Sequence, residues 1–217
     1  MEPVVLARHA PVCAHFGSAA GELAVCVRRV GLANRSDLGK LELSGPAPAL
    51  DELVRRVASV SLAPGGTGPS GGAWWCRGEE RVLVLCEPGQ RQRLRTLLGA
   101  AIHRCAGVRL RDVTEELDAL AIVGSRAGRL LGALGVLGPE ADLRRSAPFT
   151  HARVAGAPVD VLLQSDSRAL ILTVRADAAR VWHAVEEAGR PLHLSHVGSD
   201  AVARYALLDA RRGLLAA

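Results

Sequence analysis

The part of the chain best equipped to form a site is the polar turn at residues 34–37, Asn-Arg-Ser-Asp. It lies within residues 31–46, GLANRSDLGKLELSGP, where a short alternating strand at residues 40–43 follows the turn and Ser-Gly-Pro ends the stretch. A weaker copy at residues 113–127, VTEELDALAIVGSRA, again has an acidic turn, a strand and a Gly-Ser pair. A pattern that occurs twice predicts two related halves with any site between them.

Histidine and cysteine, the usual metal ligands, show no ligand spacing. The seven histidines form neither an HExxH nor an HxH pattern, and the five cysteines form no CxxC pair. His193 and His196 are three residues apart in a predicted strand or loop, which is too sparse for a zinc site. An odd number of scattered cysteines indicates reduced, mostly buried thiols in a cytoplasmic protein. The sequence therefore predicts no metal site.

The glycine-rich segment at residues 63–72, APGGTGPSGG, matches neither common phosphate-binding motif. No Gly-Lys-Ser or Gly-Lys-Thr follows it, and no strand-turn-helix pattern surrounds it. Its glycines and prolines predict an irregular linker rather than a loop that lines a site. Trp74 and Trp75 follow as the only aromatic pair of the sequence. One ring is expected in the core, while the other either joins it there or stacks on a ligand or partner.

Composition narrows the class of protein. The 217 residues suffice for one large domain or two small ones, and with 49% hydrophobic but only 3% aromatic residues the core must consist of Leu, Val and Ala. The net charge is +5 and the arginines are spread along the chain, which favours a solvated surface over a nucleic-acid site. Such a surface still suits an anionic small molecule or an acidic partner subunit. No segment approaches the ~20 apolar residues of a membrane helix, and no leader pattern opens the sequence.

Hydrophobic periodicity predicts a mixture of strands and helices. Residues 22–30 alternate and predict a strand, whereas residues 51–60 predict a helix with Asp51 as its N-cap. The helix at residues 90–102 is expected to bury three leucines, Leu94, Leu97 and Leu98. Further strands are expected at residues 40–43, 81–86, 117–123, 153–163 (a hairpin), 168–174 and 193–197, and further helices at 125–134, 177–188 and 201–211.

Two pairs of segments align between the halves of the sequence. LELSGPAPALDELVRRV parallels LAIVGSRAGRLLGAL, with Gly45 and Gly124 79 residues apart. RVLVLCEPGQRQRLRTLL parallels RALILTVRADAARVWHAV, with Arg81 and Arg168 87 residues apart. The similar offsets predict one duplicated unit of strand, helix, hairpin and helix.

The duplication predicts a first half at residues 1–107, which includes the glycine-rich loop at 63–72, and a second half at residues 108–217. The two halves are expected to form one unit together. Repeats of this kind make antiparallel sheets with helices on one face, so we expect an α+β fold of ferredoxin-like type.

The stretch GLANRSDLGKLELSGP resembles the N-terminal signature of the aminomethyltransferase family, the T-protein of the glycine cleavage system. Further segments resemble that family in the same order: RGEERVLVLCEPGQRQRL, VTEELDALAIVGSRAGRLL, VAGAPVDVLL and RADAARVWHAVEEAG. The likeness covers most of residues 24–213. It implies the N-terminal-type fold of that family, while the family's C-terminal barrel has no counterpart in the sequence.

The resemblance also implies where folate would bind, and there the residues differ from the family. The family's catalytic aspartate lies in the loop before Arg81, but residues 54–78 contain no Asp or Glu. The family's folate-contacting asparagine falls near Cys86, and its pterin-anchoring glutamate falls near Ile171. Each buried polar group left without a partner costs ~1–3 kcal/mol, so tetrahydrofolate is expected to bind weakly. The implied cofactor contacts are Ser36, Leu38, Trp74, Trp75, Val84, Cys86 and Ile171.

This loss resembles the gamma subunit of heterotetrameric sarcosine oxidase, a short branch of the family without the barrel or the folate-site acids. It implies an auxiliary, noncatalytic subunit that works with a larger flavoprotein-type subunit, or as a homo-oligomer, in folate-linked one-carbon metabolism. The alternative is a stand-alone tetrahydrofolate-dependent methyl or methylene transferase in which Asp37 and Asp166 supply the catalytic carboxylates. A third hypothesis is a folate-free small-molecule binding module built on Trp74 and Trp75. No nucleic-acid or membrane partner is expected.

Overall fold

The computed structural model describes residues 12–137 and 148–216 of the chain. Its helices are α1 (Ala19–Arg28), α2 (Ala47–Ala58), α3 (Arg91–Ile102), α4 (Ala127–Ala133), α5 (Ala178–Gly189) and α6 (Ser199–Ala216). Its strands are β1 (Gly31–Asn34), β2 (Gly39–Ser44), β3 (Thr67–Ser70), β4 (Ala73–Arg77), β5 (Arg81–Cys86), β6 (Arg109–Asp112), β7 (Leu117–Val123), β8 (Phe149–Val154), β9 (Ala157–Ser165), β10 (Arg168–Val174) and β11 (Ser195–His196). The predicted α+β class with mostly antiparallel sheets is confirmed.

The described residues divide into two compact units that interleave along the sequence. The first unit takes residues 12–36, 118–137 and 151–216, and the second takes residues 37–117 and 148–150. The division into halves expected at residues 1–107 and 108–217 stays a prediction.

The first unit is built on a six-stranded sheet in the order β11-β1-β7-β10-β9-β8. β1 is antiparallel to β7 and parallel to β11, and β9 and β10 form an antiparallel pair. Alternate residues of these strands point to one face of the sheet, where they pack against α4 and α5. The core residues include Leu32, Ile122, Leu130, Val161, Ile171, Val181 and Trp182.

The second unit is built on a five-stranded antiparallel sheet in the order β3-β4-β5-β2-β6. One face packs against α2 and α3, and its core includes Leu41, Leu43, Leu50, Leu53, Trp75, Val84, Leu94 and Leu98. The central strand β5 is apolar at residues 82–86, and all five are buried. A continuous apolar run is what a strand with two covered faces requires.

The predicted strand at residues 22–30 is wrong, because most of that segment belongs to helix α1. Ser18 is the N-cap of α1, and its Oγ accepts a hydrogen bond from the backbone N–H of Gly21 at 3.2 Å. The buried residues of α1 are Glu22 and Cys26, four apart, which is the spacing of one helix face. The alternation of apolar and polar residues at 22–30 therefore does not correspond to the side chains that are buried.

Three further expectations about the second unit are corrected. Residues 67–70 of the glycine-rich segment form strand β3, which pairs with β4. Helix α2 begins at Ala47 with Pro46 as its N-cap, so Asp51 lies inside the helix. Leu97 is 48% exposed although its neighbours Leu94 and Leu98 are buried.

The other predicted elements are confirmed to within a few residues at their ends. All five cysteines are free thiols, and four are buried, as the sequence predicted. Over residues 12–137 and 148–216, no helix is long and apolar enough to cross a membrane.

Candidate functional site

The polar turn at residues 34–36 is stabilised by hydrogen bonds within the first unit. The Ser36 N–H donates to Asn34 Oδ1 at 2.9 Å, and Ser36 Oγ accepts from the Ala119 N–H at 3.1 Å. The Arg35 N–H donates to the Ala119 carbonyl at 2.8 Å. Asn34 and Arg35 are buried, at 8% and 7% exposure. The turn therefore fixes the start of β7, and a cofactor contact at Ser36 stays a prediction.

A fully buried lysine follows this turn in the second unit, and sequence reasoning missed it. Lys40 has 0% exposure, and its Nζ donates to the Leu38 carbonyl at 2.9 Å. Its backbone N–H donates to Thr114 Oγ1 at 3.0 Å. Because Leu41 and Leu43 face the core of this unit, Lys40 lies on the other face of β2. The available signal was a lysine at the start of the strand predicted at residues 40–43. It is a weak signal, because lysine is rarely fully buried.

The two tryptophans of β4 lie on opposite faces of its sheet. Trp75 is 1% exposed in the core, and its Nε1–H donates to the Ser70 carbonyl at 3.2 Å. Trp74 is half-buried on the other face. Trp75 is therefore the core ring of the pair, and a ligand contact by Trp74 stays a prediction.

Three predicted cofactor contacts of the second unit have packing roles. Val84 is the cross-strand partner of Trp75 and has 0% exposure, and Leu38 has 6%. Cys86 is 3% exposed, and a Cβ at Gly39 would lie only 2.8 Å from its sulfur. Burial raises the pKa of the Cys86 thiol, and nearby carboxylates raise it further, so the sulfur is a neutral, space-filling group.

The residues near the predicted pterin positions do not fit a buried pterin ring. Ile171 has 0% exposure in the core of the first unit and carries no polar atom on its side chain. Cys86 is likewise a core residue of the second unit, and residues 54–78 contain no carboxylate. A pterin ring presents several donors and acceptors, and apolar neighbours would leave them unpaired.

The two predicted catalytic carboxylates belong to different units. Asp37 is half-buried at the start of the second unit. Asp166 is exposed in the two-residue turn between β9 and β10 of the first unit. A catalytic role for either carboxylate stays a prediction.

A cluster of a carboxylate and two imidazoles lies on the first unit, and the sequence reasoning missed it. Glu186 Oε2 is 3.2 Å from His183 Nδ1, and Glu186 Oε1 is 2.8 Å from His196 Nε2. The rings of His196 and Trp182 are 5.4 Å apart. Burial would raise the pKa of Glu186, but hydrogen bonds from Trp182, His196 and His183 outweigh it and lower that pKa. The spacing of His183 and Glu186, three apart on one helix, was the available signal.

This cluster borders an open cleft of about 400 Å³, lined by Glu186, Arg190, Leu194 and His196. The histidines are partly exposed, at 54% for His183 and 38% for His196. Among the described residues, no group of three or more metal-ligating side chains is arranged to hold a metal ion. The cluster offers proton exchange at a surface.

No protein-family model matches the chain, and no curated protein sequence matches it. Several solved structures are similar to it, and two of them share its fold over most of the chain. One is a heterotetrameric sarcosine oxidase from Corynebacterium sp. U-96 in complex with pyrrole 2-carboxylate. The chain matches it with a TM-score of 0.64 and 20% sequence identity, and the match covers 82% of this chain and 93% of that one. The other is the glycine cleavage system aminomethyltransferase T from Bartonella henselae, with a TM-score of 0.69 and 16% identity over 85% of this chain.

The chain spans about half the length of that aminomethyltransferase, 52% of it. At these identities the comparisons show the fold alone. They confirm the aminomethyltransferase-type fold that the resemblance at residues 31–46 predicted.

Proposed function

We propose that the chain is an auxiliary, noncatalytic subunit that works with a larger protein in folate-linked one-carbon metabolism. The observation that carries the proposal is that the chain has the aminomethyltransferase-type fold, while core side chains occupy the positions where the resemblance places the pterin contacts. Cys86 and Ile171 are 3% and 0% exposed, and neither offers a pterin the acceptor that the resemblance calls for.

The proposed partner has its support in one of the structural relatives. The sarcosine oxidase that shares the fold is named as a heterotetramer, and the chain covers 93% of the matching subunit. In a similar arrangement, this chain would bind a larger, flavoprotein-type subunit and have a structural role in the complex. A cytoplasmic location, suggested by five free cysteines, belongs to the same proposal.

Tetrahydrofolate binding to the isolated chain is the direct test. We expect anaerobic calorimetric titration of the purified chain to show no saturable binding at millimolar ligand. Stoichiometric binding at micromolar concentration would overturn the noncatalytic proposal and favour a tetrahydrofolate-dependent transferase. In that case, loss of turnover in Asp37→Asn and Asp166→Asn chains would identify the carboxylates that act.

The partner is tested separately. A tagged chain expressed at its natural level should purify as a stoichiometric complex with one larger subunit that absorbs near 450 nm, as flavins do. A chain that purifies alone, as a monomer or a homo-oligomer, would contradict the auxiliary role.

A further inference from the structure

The positive charge of the chain is concentrated in one segment of the second unit. Residues 88–111 contain six arginines and no Asp or Glu, a net charge of +6, whereas the whole chain carries +5. All other residues together therefore carry a net charge of −1. Arginines occur along the whole sequence, but residues 88–111 combine six of them with no Asp or Glu and therefore form a basic segment.

The fold arranges part of this segment as a solvent-facing stripe along α3 and the turn that follows it. Arg93, Leu97 and Ala100 follow one another at intervals of four and three residues, which places them on one face of α3, and Arg104 lies in the turn just after the helix ends at Ile102. All four are exposed, and Leu97 is 48% exposed between the two arginines. We call these four residues the α3 stripe.

The arginines of the stripe are not neutralised within the described part of the chain. Arg91 pairs with Asp112 at 3.4 Å and Arg111 pairs with Glu116 at 2.8 Å. Over residues 12–137 and 148–216, by contrast, no ion pair involves Arg93 or Arg104.

Helix α2 of the same unit shows the contrasting arrangement. Its exposed arginines, Arg55 and Arg56, both pair with Glu52. An exposed helix with unpaired arginines carries a positive potential that an acidic surface complements.

The chemistry of the stripe favours a protein over a nucleic acid. An exposed leucine flanked by arginines matches the usual make-up of protein interfaces, in which an apolar centre has arginine anchors around it. Non-specific nucleic-acid binding instead relies on aromatic rings that stack on bases, and the α3 stripe has none.

We propose that the α3 stripe docks on an acidic surface, with an apolar centre, of the larger partner subunit. This inference rests on the proposed auxiliary role and names the face through which that role is exercised. Leu97 fills the apolar centre, while Arg93 and Arg104 pair with carboxylates of the partner.

Charge reversal combined with site-specific cross-linking tests the inference. In the full chain, expressed at its natural level, a photoreactive benzoylphenylalanine is placed at position 97. The test variant is Arg93→Glu/Arg104→Glu. The control is Arg129→Glu/Arg204→Glu, which reverses two exposed arginines of the first unit and changes the net charge equally.

We expect position 97 to cross-link to an acidic peptide of a single larger subunit. The test variant should bind that subunit about 10–100-fold more weakly and the control within about twofold, with the difference shrinking at high salt. Equal complex formation by both variants would overturn the docking face and leave the auxiliary role standing. Cross-links that nuclease treatment removes would overturn it in favour of nucleic acid. Absence of any complex, even with the unaltered chain, would overturn both proposals.

Discussion

Gly198, between β11 and α6, is the position where a single added methyl group should do most damage to the first unit. A Cβ at Gly198 would lie 2.1 Å from the Ala14 carbonyl oxygen and 2.6 Å from the His15 Cα. Both are backbone atoms, which cannot rotate aside as a side chain can. Gly198→Ala must therefore displace residues 13–16 from the start of α6.

That displacement puts four hydrogen bonds at risk. Two backbone N–H groups of α6 donate to carbonyls of the N-terminal segment: Ser199 to Cys13 and Asp200 to Ala14, both at 3.0 Å. These neutral bonds are worth about 0.5–1.5 kcal/mol each. They also satisfy N–H groups at the helix start that have no partner within the helix.

The other two bonds go to the carboxylate of Glu22. Its Oε1 accepts from the Phe16 N–H at 2.7 Å, and its Oε2 accepts from the Gly198 N–H at 2.8 Å. Hydrogen bonds to a charged group are worth about 1.5–3 kcal/mol each. Since overpacking usually costs about 1–3 kcal/mol after relaxation and some of these bonds would lengthen, we expect Gly198→Ala to lower the free energy of unfolding by about 2–4 kcal/mol.

Urea unfolding followed by circular dichroism measures this loss, and hydrogen exchange of residues 13–22 locates it. The matched control is Gly99→Ala inside α3, where a Cβ meets nothing within 4 Å. That substitution should raise the free energy of unfolding by about 0.5–1 kcal/mol, because glycine is a poor helix former. A Gly198→Ala chain with wild-type stability and unchanged exchange at residues 13–22 would refute the reasoning.

Three further predictions concern buried or paired groups. The lowered pKa of Glu186 means that its contribution to stability is present above its unfolded pKa and is lost as pH falls through the folded pKa, so Glu186→Gln should lower Tm at pH 7, and its difference in Tm from wild type should shrink steadily as pH is lowered through the acid range. Burial raises the pKa of the Cys26 thiol to about 12, so iodoacetamide at pH 8 should alkylate it more than ~1,000-fold more slowly than glutathione, a difference that urea should abolish. Ile171→Glu should lower the free energy of unfolding by about 3–5 kcal/mol without creating a folate site, and a stable variant that binds tetrahydrofolate stoichiometrically would contradict this.

Elements with an unambiguous pattern were predictable from the sequence. β5, β7 and β10 are short apolar runs bounded by polar turns, and α5 repeats its apolar residues at helical spacing. Burial of these residues is favourable in almost any arrangement of the chain, so the local pattern and the final structure agree.

Elements whose conformation depends on a distant partner were not predictable. The segment at residues 22–30 alternates like a strand, but Glu22 is held in helix α1 partly by the N–H of Gly198, 176 residues away. Residues 67–70 have strand-breaking composition and form β3 because the neighbouring β4 supplies its hydrogen-bond partners. An interaction of this kind leaves no local trace in the sequence.

For function, the sequence alone determined the fold type and the loss of acids, because both are properties of residue identity and order. It already showed that residues 54–78 hold no carboxylate and that Cys86 and Ile171 stand near polar positions of the family. Only the tertiary structure decided that these two side chains fill the cores of their units, because burial depends on what packs around a residue. Only the tertiary structure showed that Leu97 is exposed to solvent between arginines, because the amphipathic pattern of α3 does not define where its buried face ends.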